Sequence, residues 1–95
     1  MMAPELRVDA IYNQLQETLN PLQLTVEDES HFHVGHVGHK GAGHFAVKIV
    51  ADCFTGRTLV ARHRMVYAAL QTLFGTEIHA LKIDAKTPEE IGALK

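Results

Sequence analysis

The chain has 95 residues, a formal net charge of −2 with its seven histidines neutral, and a single cysteine. That length suits one small domain over 1–95 with a single core. The charge gives no general attraction to nucleic acid or anionic membrane, and one cysteine excludes an internal disulfide or a four-cysteine metal site within one chain.

The opening MMAPELRVDA has neither a basic start nor an apolar stretch with a cleavage site, and no apolar run is long enough to cross a bilayer. A soluble, cytoplasmic chain with no membrane contact is expected. Pro4 suits a first helical turn, and Val8, Ile11, Leu15 and Leu19 recur at spacings of three and four. These predict an amphipathic helix that stops at Asn20-Pro21, because proline disfavours helical geometry in the residue before it. Leu22, Leu24 and Val26 alternate with Gln23, Thr25 and Glu27, predicting a strand with one buried face. A second strand is expected over 45–50, with Phe45, Val47 and Ile49 on one face. DCFTG then makes a turn. Leu59, Val66, Leu70 and Leu73 or Phe74 predict a helix over about 58–74, closed by Gly75.

IHALKIDA reads as a third strand, with Leu81, Ile83 and Ala85 on one face and Lys82 and Asp84 on the other. In TPEEIGALK, Thr87 is a cap, the proline falls in the first turn and acidic residues follow, so a short last helix is expected. The order α-β-β-α-β-α gives a two-layer α+β domain: a three-stranded mixed sheet with its helices on one face, and a right-handed crossover if the second and third strands are parallel.

The segment HFHVGHVGHKGAGH connects the first two strands and holds five of the seven histidines among four glycines. Imidazole binds zinc, copper, nickel and iron, so some affinity for such metals is expected of His31, His33, His36, His39 and His44. A glycine-rich loop alone holds no tetrahedral arrangement, so adventitious binding is one reading. A strand extension that puts His31 and His33 on one face is another, and a pH sensor a third. The two GxxG matches, from Gly35 and from Gly38, lie between strands, whereas the KH-domain loop that clamps nucleic-acid backbone lies between helices.

No H-E-x-x-H or G-x-S-x-G is present, and Cys53 has no evident base beside it, so a catalyst is not expected. His79 and His63 each read by themselves as packed or edge residues. Arg57, Arg62 and Arg64, with His63, gather at the start of the second helix, either as a solvated face or as a nucleic-acid-binding one.

VEDESHFH, HFAVKIVADCFTGRTLVARHRMVYAAL and IHALKIDAKTPEE together resemble the BolA family over nearly the whole chain. The resemblance implies a class II KH-like α+β fold. It also implies pairing with a monothiol glutaredoxin, sharing or transfer of a [2Fe-2S] cluster in iron–sulfur trafficking and iron homeostasis, and no cluster held tightly by the isolated chain. One implied ligand falls on His79 and the other on His33, counted from Asp28-Glu29-Ser30, with His36, His39 and His44 as loop alternatives. Two imidazoles would join a glutaredoxin cysteine and a glutathione thiolate as the four terminal ligands, which lowers the cluster's negative charge and raises its potential. Bacterial members imply a second reading, a DNA-binding transcriptional regulator of stress response and cell morphology acting through Arg57, Arg62, His63 and Arg64. A weak homodimer is a further expectation.

Overall fold

A computed structural model of the chain describes residues 3–30 and 41–92. Helix α1, Pro4–Leu19, has its proline in the first turn and buries Ile11 and Leu15 completely. It ends where Asn20 turns left-handed at φ 48° and donates its backbone N–H to the Gln16 carbonyl. Strand β1, Gln23–Asp28, pairs antiparallel with β2, Gly43–Val50, placing Leu24 opposite Ile49 and Val26 opposite Val47. Leu22 departs from the predicted stripe. It lies between the end of α1 and the first strand residue, and is 58 % exposed.

A 3-10 turn at Asp52–Phe54 inserts the fully buried Phe54 and leads to α2, Leu59–Ala69. Thr58 caps this helix, its Oγ1 accepting from the Ala61 N–H at 3.1 Å. The α-helix is shorter than the periodicity predicts. From Leu70 the backbone tightens into a 3-10 turn, Gln71–Leu73, which still buries Leu70 and Leu73. Leu59, expected on the apolar stripe, is the first helical residue and is exposed; Arg62 and Val66 are the residues that α2 buries.

Strand β3, Ile78–Lys86, pairs parallel with β2, matching Phe45 with Leu81, Val47 with Ile83 and Ile49 with Ala85. The sheet order is β1-β2-β3, a mixed sheet with β2 central. Both helices send their apolar residues to one face, where Ile11, Leu15, Val66 and Leu70 meet Phe45, Val47 and Ile49. Thr25, Glu27, Lys48, Lys82 and Asp84 are polar, and all five are exposed.

The expected last helix is a turn. Thr87 and Glu90 form a reciprocal capping box: the Thr87 N–H donates to Glu90 Oε1 at 2.7 Å, and the Glu90 N–H to Thr87 Oγ1 at 3.2 Å. Among the described residues this stretch makes turn bonds from Glu90 to Thr87 and from Gly92 to Glu89, and Gly92 adopts φ 74°. The box closes around Arg62, whose Nη1 donates to Glu90 Oε1 at 2.6 Å and to the Ala85 carbonyl at 3.1 Å, while Nε donates to the Arg57 carbonyl at 3.0 Å. One buried guanidinium thus ties the end of β3, the C-terminal turn and the loop before α2.

The Arg62 hydrogen bond, helped by the Thr87 N–H, lowers the Glu90 carboxyl from the usual 4.5 to about 2. A depressed carboxylate stabilises the fold above its unfolded value and loses that contribution as pH falls toward the folded one. The stability difference between wild type and Glu90→Gln should therefore be full above about pH 4.5 and shrink toward pH 2. Urea midpoints of both proteins across this range test it, and a difference that does not change with pH would contradict it.

Candidate functional site

The parallel pairing of β2 and β3 is irregular at its start. Gly43 pairs with Ile78 and His44 with Ala80, so β3 advances two residues while β2 advances one, and His79 is the extra residue of a bulge. A bulge re-aims the side chain it carries. The His44 and His79 rings stand with centroids 5.1 Å apart and planes tilted by 53°. His79 is exposed and His44 half-buried, so the pair is open to solvent on one side.

The backbone around His44 is tied down on both sides. Its carbonyl accepts from the Glu29 N–H at 2.7 Å, and its own N–H donates to Ser30 Oγ at 3.0 Å. Ser30 is held in turn by its N–H to Asp28 Oδ1 at 2.8 Å. Gly43 must lack a side chain, because a Cβ there would lie 2.7 Å from both the Phe45 ring and Ser30 Oγ. Asp28-Glu29-Ser30 and Gly43-His44 therefore clamp the two ends of the histidine-rich segment. Lys82 flanks the site, its Nζ 3.1 Å from Glu29 Oε1.

Neutral imidazoles are borderline nitrogen donors suited to iron, zinc and copper. Among the described residues no group of three or more His, Cys, Asp or Glu is placed to hold a metal ion, and the His44–His79 pair could by itself supply two nitrogen donors. His33, His36 and His39 lie outside the described residues. Cys53 follows the far end of β2, about 20 Å of strand from His44. It is half-buried, with Sγ 3.8 Å from the Leu19 carbonyl, and burial raises its thiol above the ordinary value. The structure therefore brings His79 together with His44 and leaves Cys53 apart from both.

The basic cluster of α2 divides. Arg57 and Arg64 are exposed, and His63 is half-buried in a groove with Leu59, Ile83 and Lys86. Arg62 does not join them on the surface. It is 7 % exposed and its guanidinium is committed to Glu90 and two carbonyls, so its placement among surface phosphate contacts is corrected to a structural role.

The family described as BolA-like protein matches the chain over residues 15–90. The chain is 46 % identical over 92 residues to protein BOLA1, chloroplastic, of Arabidopsis thaliana, covering 93 % of this chain and 58 % of that protein. It is 37 % identical over 82 residues to the DNA-binding transcriptional regulator BolA of Escherichia coli, covering 86 % of this chain and 76 % of the relative. Among solved structures, the BolA domain of SufE1 from Arabidopsis thaliana superimposes with a TM-score of 0.79 at 45 % identity, covering 88 % and 94 % of the two chains. One of these relatives is named as chloroplastic, so likeness to them does not carry the cytoplasmic expectation. Among the described residues no helix is long and apolar enough to cross a membrane.

Arg62→Ala would leave two backbone carbonyls without their charged donor. The expected loss is about 2 kcal/mol of stability, against no more than about 0.5 kcal/mol for Arg57→Ala or Arg64→Ala. Chemical denaturation of the three variants checks this, and three equal effects would contradict the buried assignment.

Proposed function

The chain belongs to the BolA-like protein family, and on that premise we propose that it is a partner of monothiol glutaredoxins that shares or transfers a [2Fe-2S] cluster in iron–sulfur trafficking and iron homeostasis. The observation that supports this reading is the 5.1 Å pair of His44 and His79 at a bulge beside the histidine-rich segment. His79, exposed on the bulge, would be one ligand. The second imidazole is that of His33 by the family resemblance, and His44 is the alternative whose ring already stands beside His79. The remaining ligands, a glutaredoxin cysteine and glutathione, would come from the partner side, since Cys53 is remote from the pair. A cluster with two imidazoles in place of two thiolates carries less negative charge and a higher potential. The role of this chain is to present nitrogen donors on a rigid sheet end, as a binding partner and not a catalyst.

The test is visible circular dichroism of the chain mixed with a [2Fe-2S]-loaded monothiol glutaredoxin and glutathione. A new spectrum is expected with wild type. His79→Ala should abolish it, and comparing His33→Ala with His44→Ala should identify the second ligand by the larger loss. A glutaredoxin spectrum unchanged by the wild-type chain would contradict the proposal.

The second reading, a DNA-binding regulator of stress response and cell morphology, is favoured by the name of the Escherichia coli relative and by exposed Arg57 and Arg64 near His63. With Arg62 turned inward, about two phosphate contacts remain, which predicts a log–log salt slope near −2. Fluorescence anisotropy with duplex DNA over a salt series measures it, and an affinity independent of salt would exclude this reading.

A further inference from the structure

Two residues before His79 stands one partner of an ion pair that the function proposed above does not use. Arg7, in the first turn of α1, donates from Nε to Glu77 Oε1 at 2.9 Å, and both residues are only 5 % exposed. Arg7 Nη2 is buried and has no hydrogen-bond partner among the described residues. Stability alone does not account for this arrangement. Desolvating two charges offsets most of their attraction, an unmet N–H costs more, and apolar side chains of similar volume often serve a core equally well.

The backbone of Glu77 shows what the pair controls. Its N–H donates to the Leu73 carbonyl at 2.9 Å, and its own carbonyl accepts from the Gly43 N–H at 3.0 Å. Gly43 precedes His44, and Glu77 stands two residues before His79. Holding Glu77 therefore holds the last paired position before the bulge on both strands. With Gly43 fixed against Ile78 and His44 against Ala80, residue 79 is left over and must bulge.

We propose that the buried Arg7–Glu77 ion pair is a positioning element for the His44–His79 pair, anchoring the bulge to α1 so that the two imidazoles keep their mutual placement. Its consequence for a bound cluster rests on the glutaredoxin-partner reading; its consequence for the two rings does not.

The test uses the full chain labelled with 15N-histidine, reading imidazole resonances by NMR without any partner. In the double variant Arg7→Met/Glu77→Met, the His44 and His79 resonances should move while those of His63 stay, with the fold retained. The single variant Glu77→Gln, which keeps Arg7 and an acceptor for its Nε–H, should keep the wild-type positions. If the double variant does not fold, Arg7→Lys carries the same test, because it keeps the charge without the Nε–H. In the mixture with loaded glutaredoxin, the displaced rings should weaken cluster retention about tenfold. His44 and His79 resonances that coincide with wild type in the folded variant would overturn the proposal. A wild-type chain with no cluster signature would remove the glutaredoxin reading and leave the resonances to decide the positioning role.

Discussion

The structure depends on the parallel pairing of β2 with β3 and on the one-residue bulge at its start. Parallel pairing forces the chain to cross from the end of β2 through α2 before it returns, and that crossover supplies half of the helical layer covering Phe45, Val47 and Ile49. The bulge lets the apolar register Phe45–Leu81 and Val47–Ile83 be satisfied while His79 is set against His44. A regular ladder with the same apolar register would pair each residue with one partner and leave no extra position for an imidazole.

Two buried arginines hold the two ends of this arrangement, and their surroundings differ. Arg62 reaches three oxygens, the Ala85 carbonyl at the end of β3, the Arg57 carbonyl before α2 and Glu90 Oε1 in the C-terminal turn. Arg7 makes one short contact just before the start of β3, and its Nη2 has no hydrogen-bond partner among the described residues. The first arrangement serves stability. The second serves placement, next to the only described histidines whose rings face one another.

Much of the fold was legible in the residues. The three- and four-residue spacing of Ile11 and Leu15 and the alternation around Val47 each carry a local physical signal, and each of these elements formed where that signal lay. The departures have local causes. Leu59 sits at the first helical position and escapes the core, and TPEE closes on Arg62 as a capping box that Gly92 ends before a helix develops. Arg62 reads as surface charge in the sequence because nothing in R-H-R tells which arginine faces inward; the long-range partners Ala85 and Glu90 decide that. For the site, the family resemblance pointed to His79, while the 5.1 Å approach of His44 depends on a bulge that no periodicity announces. The Arg7–Glu77 pair, seventy residues apart, had no signal in the sequence.

The most direct test of the central claim is electron spin echo envelope modulation on the reduced mixed complex, prepared from a 15N-histidine-labelled chain and unlabelled glutaredoxin. The account predicts 15N couplings from imidazoles bound to the cluster, absent from the mixture made with His79→Ala. A spectrum lacking histidine nitrogen coupling in the wild-type complex would show that this chain does not ligate the cluster and would contradict the account.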